Sequence, residues 1–219
     1  KKAIKDAIYA GINVKIITGD SEFTTRAVAD KIGLKGEGIN GNDLENLSEE
    51  KWDKVVRTKT IFARVTPQQK LKIVEVLKKQ NETVAVTGDG VNDILALKKA
   101  DIGISMGIRG SDIARDSSDI VLLDDNFATI MEGVKQGRRV FANMRKSIKF
   151  LLSANAAQIF IIILALIIGL PLPFLPLAIL WMNLVTDSLP ALALAVEPAE
   201  KNVMKRKPRS DGLLSGIWK

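Results

Sequence analysis

The chain has 219 residues, enough for one or two domains. It contains no cysteine and no histidine, which excludes disulfides, thiolate metal sites and imidazole acid–base chemistry; catalysis falls to carboxylates, lysines, hydroxyls and backbone amides. The net charge of +7 comes from basic residues that are not interleaved with aromatics and that cluster beside an apolar region, so a membrane surface is expected and nucleic acid is not.

In chain order, residues 1–10 read as a charged amphipathic helix rather than a signal peptide, with Gly11 as terminator. Val14-Lys15-Ile16-Ile17 reads as a strand that ends at Thr18-Gly19-Asp20. Residues 21–32 read as a helix stopped at Gly33, 36–42 as a loop, and Ser48 as the start of another helix. Thr60-Ile61-Phe62-Ala63 is expected to be a strand, followed by Arg64-Val65-Thr66-Pro67. Pro67 suits a first helical turn, and Leu71, Val74 and Leu77 carry helical spacing after it.

Thr83-Val84-Ala85-Val86 reads as a buried strand running into Thr87-Gly88-Asp89-Gly90-Val91-Asn92-Asp93, and residues 94–99 as the helix that follows. Glycines at a strand-to-helix junction let backbone amides approach a ligand closely. Asp89 and Asp93, four residues apart, are oxygen ligands of the kind that hold Mg²⁺ together with phosphate oxygens. Two further strands are expected at Ile102-Gly103-Ile104-Ser105 and Ile120-Val121-Leu122-Leu123. Strands alternating with helices predict an α/β fold with a parallel, doubly wound sheet. Ligands collect at the carboxyl ends of such strands, where both Thr18-Gly19-Asp20 and Thr87-Gly88-Asp89 fall.

Asp124-Asp125-Asn126 reads as a helix cap, and no proline follows until Pro171, which predicts one helix of about 40 residues and about 60 Å. Its apolar part, 150–168, is long enough to cross a bilayer, and 177–196 forms a second span after the turn 169–176. A pair of buried core helices is the alternative, disfavoured by length, flanking charge and the lack of a polar face. Arg138, Arg139, Arg145, Lys146 and Lys149 precede the spans, and Lys201, Lys205, Arg206, Lys207 and Arg209 follow them; the turn has no basic residue. The positive-inside rule then predicts a hairpin with both ends cytoplasmic. Asn155 and Gln158 share a face of the first span, and Asn183, Thr186 and Asp187 share one on the second. Polar groups at that depth are costly and usually functional; interhelical hydrogen bonding is the plain alternative, and it does not explain a charged Asp187.

The motifs TGDGVND and ALKKADIGI, the upstream ITGD and the downstream MNLVTD resemble those of P-type ATPases, in the family's order and over essentially the whole chain. Within them the chain is similar to type II cation pumps, nearest the calcium-pump branch. The resemblance implies part of a haloacid-dehalogenase-like (Rossmann-like) phosphorylation domain joined to the fifth and sixth membrane helices. The expected organisation is a phosphorylation-domain part at 1–126, a cytoplasmic stalk at 127–149, membrane helices at 150–168 and 177–196 around a non-cytoplasmic turn at 169–176, and a cytoplasmic basic loop at 197–219.

The resemblance also implies residue roles. Asp89 and Asp93 match the Mg²⁺ site, with Asn92 in the same motif. Thr18 and Gly19, with Asp20 beside them, match the phosphoryl contacts, and Lys70 the phosphate-binding lysine. Asn183 and Asp187 match ligands of one transported ion; Asn155, Thr186 and Asp187 match those of another, for which Gln158 stands where two-ion calcium pumps carry Glu. Unwound backbone near Asn183 is expected to offer carbonyls to the ion. Ile94-Leu95 replaces the family's Ala-Pro after GDGVND, which alters the helix start rather than the metal chemistry.

The implied activity is ATP-driven cation transport with Mg²⁺ and ATP, most simply of Ca²⁺, through an aspartyl-phosphate; Na⁺, K⁺ or Mn²⁺ transport is the alternative within the family. The DKTG motif, the nucleotide domain, the actuator loop and the other membrane helices lie outside the sequence, so the chain reads as part of a multi-pass pump. Its implied partners are those parts and the bilayer. A truncated, non-catalytic binder of a partner pump is the reading outside enzymology.

Overall fold

In a computed structural model, residues 1–208 and 212–215 are described; Arg209 lies outside them. The chain forms two compact units, Lys1–Glu132 and Gly133–Lys219.

The first unit opens with α1 (Lys2–Tyr9), β1 (Ile16–Ile17), α2 (Glu22–Ile32), β2 (Gly38–Asn40), α3 (Gly41–Glu45), α4 (Glu49–Thr58) and β3 (Ile61–Ala63). These strands form one parallel sheet in the order β1-β3-β2. It continues with α5 (Pro67–Lys79), β4 (Ala85–Gly88), a 3₁₀ turn Val91–Asp93, α6 (Ile94–Lys99), β5 (Ile102–Met106), α7 (Asp112–Asp116) and β6 (Ile120–Leu122). The later strands form a second parallel sheet, β4-β5-β6.

Two expectations are corrected here. The stretch 36–42 contains β2, which pairs with β3 at Gly38–Ile61, Ile39–Phe62 and Asn40–Ala63. With one apolar residue among three, β2 carries no alternating signal, and its pairing to the buried β3 creates it. The single sheet is also resolved into two. β4 bonds to β5 alone, and Ala85 and Thr87, which share one face of the strand, stand exposed although its composition predicts burial.

Helix α5 is the wall between the two halves. Its N-terminus carries a capping box in which Thr66 accepts from the Gln69 amide while the Gln69 side chain accepts from the Thr66 amide. From there Ile73 and Val76 pack with Leu44, Trp52, Val56 and Phe62 over β3. Val74 packs instead with Val84 and Ala96 beside β4 and α6. Adjacent positions of one helix thus close two cores.

Asp124 and Asn126 act at the start of α8 (Phe127–Ile167): the Asn126 side chain accepts from the Ala128 amide at 3.0 Å, and Asp124 accepts from the Asn126 amide and the Thr129 hydroxyl. Asp125 does something else. At φ 49° it turns back to accept from the amides of Ile108 and Arg109 at 3.0 and 2.9 Å. The Ile108 amide foremost, with the Arg109 amide and guanidinium, holds its carboxyl below the usual carboxylate range.

Helix α8 runs 41 residues without a break, about 60 Å, and begins before the second unit does. Gly169, at φ 73°, ends it: the Leu170 amide donates back to the Ala165 carbonyl, a closure that a left-handed residue permits. The return path is α9 (Pro176–Trp181), a π-helical turn Met182–Thr186 and α10 (Ser188–Ala195). The two arms are pinned at one end by Ser147 Oγ donating to the Ala191 carbonyl, by Asn143 donating to the carbonyls of Ala195 and Glu197, and by Lys146 Nζ 2.6 Å from Glu197.

Ile73 is fully buried, so Ile73→Ala leaves a cavity between α5 and β3 and is expected to destabilise the first unit by about 2–5 kcal/mol. Thr66→Ala removes one cap and costs about 1 kcal/mol. Amide exchange of β3 through a urea titration of the full chain measures both; equal effects would contradict this ranking.

Candidate functional site

In the first unit the sequence-predicted residues gather at the carboxyl ends of β1, β3 and β4. The loop after β1 is fastened to the end of β3: the Val65 amide donates to the Thr18 carbonyl at 3.0 Å and the Arg64 amide to the Asp20 carbonyl at 2.8 Å. Thr18 Oγ1 accepts from the Asp20 amide at 3.1 Å, which turns the loop tightly. Gly19 and Asp20 are exposed at its tip, and a Cβ on Gly19 would meet nothing closer than 3.9 Å.

Lys70 lies on the first turn of α5, where the capping box fixes the helix start. Its Nζ donates to Asp93 Oδ1 at 2.6 Å, with the two side chains only 15 and 14% exposed. Gly88 makes this approach possible, since a Cβ there would sit 2.5 Å from the Asp93 Cβ. Asp89 follows β4 and is exposed, while its carbonyl accepts from the Ser111 amide at 2.9 Å. Asn92 is exposed on the 3₁₀ turn.

The structure thus joins Lys70 to Asp93 and leaves Asp89, Asn92 and Asp20 open to solvent. Among the described residues no cluster of three or more acidic side chains forms a closed metal cage. Asp89 and Asp93, one carboxylate free and one partly used by Lys70, fit Mg²⁺, which takes one or two protein carboxylates and fills its remaining positions with water and phosphate oxygens.

Sequence reasoning passed over three contributors. Gln69 ties the start of α5 to the Gly41 carbonyl at 2.9 Å, and its signal is the Thr-Pro-Gln-Gln capping pattern. Gly41 admits that contact, because a Cβ would sit 2.1 Å from the Arg64 carbonyl oxygen. Ser111, which holds the Asp89 backbone, has no local signal.

In the second unit the polar residues of the spans separate. Gln158 and Asp187 are each only 8% exposed. Gln158 Nε2 reaches Asn183 Oδ1 at 3.5 Å, the outer limit of a hydrogen bond. Asp187 Oδ2 is buried and has no hydrogen-bond partner. Asn155, Asn183 and Thr186 are exposed. The backbone near Asn183 is not unwound, a correction to expectation: the π turn keeps it bonded, with the Asp187 amide donating to the Met182 carbonyl at 2.9 Å. Inserting one residue into the ladder widens the turn rather than opening it.

Residues 1–101 match the family described as haloacid dehalogenase-like hydrolase, and residues 171–217 match "Cation transporting ATPase, C-terminus". A calcium-transporting ATPase of Bacillus subtilis is 48% identical over 95% of this chain and 24% of its own length. Calcium-transporting ATPase 1 of Bacillus cereus is 43% identical over 99% of this chain and 25% of its own length. A sodium/potassium-transporting ATPase subunit alpha-3 of Gallus gallus is 42% identical over 96% and 24%. The chain spans about a quarter of the length of these relatives. The two parallel sheets with their helices form a haloacid-dehalogenase-like domain, joined to helices of 41 and 20 residues long and apolar enough to cross a membrane. The chain belongs to the cation-transporting P-type ATPases.

Proposed function

We propose that this chain supplies the Mg²⁺-phosphate site and part of the ion pathway of an ATP-driven pump for Ca²⁺. The observation that carries the transport reading is Asp187 Oδ2, a carboxylate oxygen buried without a partner in an apolar helical segment. Such a group is expensive unless a cation or a proton completes it. Asn183 and Gln158, whose side chains approach each other at 3.5 Å, add neutral oxygen donors of the hard type that Ca²⁺ prefers. Calcium-transporting relatives at 48 and 43% identity favour Ca²⁺ over the Na⁺/K⁺ pumps at 42%.

In the first unit, this chain's residues serve positioning and charge neutralisation, which are what phosphoryl transfer chiefly needs. Thr18 and Gly19 offer a tight loop whose amides can face phosphate oxygens. Lys70 brings a positive charge to the same end of the sheet and holds Asp93 in place. Asp89 and Asp93 would hold Mg²⁺, which when bound neutralises phosphate charge. ATP supplies the phosphoryl group in the complete pump, and the acceptor aspartate of the family's DKTG motif is not in this sequence.

The membrane orientation follows from charge. The two spans leave Gly169 to Pro176 without a basic residue and both flanks rich in them, so the first unit and both flanks face the cytoplasm and the turn faces away. The organisation that follows is a phosphorylation-domain part at 1–126, a stalk at 127–149, spans at 150–168 and 177–196, and a basic loop at 197–219. One divalent ion is bound per cycle, because neutral Gln158 and the exposed positions of Asn155 and Thr186 leave a single carboxylate, Asp187, to offset the ion's lost hydration.

Three outcomes test this reading. In the complete pump, Asp89→Asn abolishes Mg²⁺-dependent phosphorylation from ATP, whereas the isolated chain forms no acyl-phosphate; a trapped phosphoenzyme on the isolated chain would refute the assignment. A cysteine introduced at Leu172, in a chain with no native cysteine, reacts with an impermeant reagent from the non-cytoplasmic side only. Asp187→Asn abolishes ion-dependent phosphorylation while Gln158→Ala weakens ion affinity roughly tenfold or less, the loss of one neutral ligand. Equilibrium ⁴⁵Ca²⁺ binding then counts one tight ion; two ions, or the reverse ranking of the variants, contradicts the single-site reading, and Na⁺- or K⁺-dependent phosphorylation contradicts Ca²⁺.

A further inference from the structure

Asp89 lies one residue beyond the last β4–β5 pair, Gly88–Ser105, and between two glycines, Gly88 and Gly90. It is past the paired part of its strand, and a glycine on either side leaves the backbone there free to turn. The bond that steadies it comes from elsewhere: the Ser111 amide donates to the Asp89 carbonyl at 2.9 Å. Ser111 closes the loop 107–110 after β5 and caps α7, where its hydroxyl accepts from the Ala114 amide. Where Ser111 stands is therefore set by that loop.

The loop is not anchored by burial of its own side chains. Ile108 is 72% exposed, and the Arg109 side chain 73%. Two charged groups hold its backbone instead. Arg115 of α7 donates to the carbonyls of Gly107 and Gly110 at 2.9 and 2.7 Å. Asp125 gives one carboxylate oxygen to the Ile108 amide and the other to the Arg109 amide, and its side chain is only 8% exposed. An ionised carboxylate suits two successive amides because each oxygen accepts. Asp125 is itself placed by the junction of β6 with α8. Its amide donates to the Leu122 carbonyl, and its neighbours Asp124 and Asn126 bond the first turn of α8.

We propose that Asp125 is a positioning residue for the metal site: by fixing loop 107–110 it keeps the Ser111 amide on the Asp89 carbonyl, and so sets where the Asp89 carboxylate stands. This rests on the reading of Asp89 as a Mg²⁺ ligand. Groups behind a metal ligand that orient it govern affinity without touching the ion.

The experiment uses the full 219-residue chain in detergent micelles, first without metal and then with Mn²⁺, which takes the same oxygen ligands as Mg²⁺. Asp125→Asn keeps the side-chain shape but turns an NH₂ group toward one of the two amides. The Ser111 amide is expected to exchange with solvent about tenfold faster in that variant, while the Val65 amide, which holds the Thr18 carbonyl, keeps its rate. The Mn²⁺ binding that Asp89→Asn removes, followed by electron paramagnetic resonance, is expected to weaken roughly tenfold in Asp125→Asn. Asp124→Ala strips bonds from the start of α8 without touching the loop, and is expected to change neither reading. An unchanged Ser111 rate in Asp125→Asn overturns the proposal. Equal acceleration of Ser111 and Val65 means general loosening and overturns it as well, as do equal effects in Asp124→Ala. Faster Ser111 exchange with undiminished Mn²⁺ affinity overturns the positioning role and leaves the metal reading standing. If Asp89→Asn removes no Mn²⁺, the metal reading of Asp89 fails instead, and the Ser111 rate still decides whether Asp125 holds the Asp89 backbone. Should Asp125→Asn fail to fold, Arg115→Gln releases the same loop from its other side and must give both changes.

Discussion

The ion pair between Lys70 and Asp93 is the contact on which the first unit's site depends. It is short, at 2.6 Å, and largely withdrawn from solvent. Removing both groups from water costs several kcal/mol per ion, and a well-packed apolar pair of similar volume stabilises a fold as well or better. Stability therefore does not account for it. What the pair does is fix two side chains 23 residues apart in sequence, one on the first turn of α5 and one on the 3₁₀ turn after β4, at one point beyond the sheet ends. Gly88 reflects the same requirement, since any side chain there would displace Asp93. The consequence is a division between two carboxylates: Asp93 is immobilised by the Lys70 ammonium, and the Asp89 side chain is exposed to solvent.

That geometry is held from behind by α5. The helix begins at a fixed residue because Thr66, Pro67 and Gln69 together define its first turn. Gln69 is used twice, capping its own helix and bonding the Gly41 carbonyl of α3. Arg64, just before, takes φ 50°, a strained value for a residue with a side chain, and its carbonyl lies so close to Gly41 that only glycine fits. Strain and close approach at one corner are the cost of bringing the β1 loop, β3 and the start of α5 together. Ile73 and Val74, neighbours on α5, then commit it to two cores at once, so a shift of this helix disturbs both sheets.

Much of this was legible in the sequence. The strand-to-helix junctions at Thr18-Gly19-Asp20 and Thr87-Gly88-Asp89 follow from apolar runs ending in glycine and aspartate. The long helix from Phe127 follows from the absence of proline and from the Asp-Asp-Asn cap, although Asp125 turned out to serve the 107–109 loop instead. What was not legible depends on partners distant in sequence. β2 is a strand only because β3 lies beside it, and three residues carry too little pattern to announce that. The exposure of Ala85 and Thr87 depends on which face of β4 is covered, which a continuous apolar run does not encode. In the spans, helical spacing placed Asn155 with Gln158, but packing buried Gln158 alone. Periodicity gives a face; which residue of that face meets its neighbour is decided by the neighbour.

The π turn at Met182–Thr186 shows why spacing misleads at a site of this kind. A regular helix would bond the Asp187 amide to the carbonyl four residues back, at Asn183. Here it bonds to Met182, five back, so the Asn183 carbonyl is released from the amide ladder and accepts instead from Ser188 Oγ at 3.0 Å. A hydroxyl is a replaceable partner for a carbonyl in a way that a ladder amide is not, because it can rotate away without breaking the helix. Thr186 is exposed and Asp187 buried as neighbours on any helix can be, since successive side chains point about 100° apart. The segment thereby keeps nearly all its backbone bonds, as an apolar surrounding demands, and still presents one unpartnered carboxylate oxygen and one releasable carbonyl within a single turn.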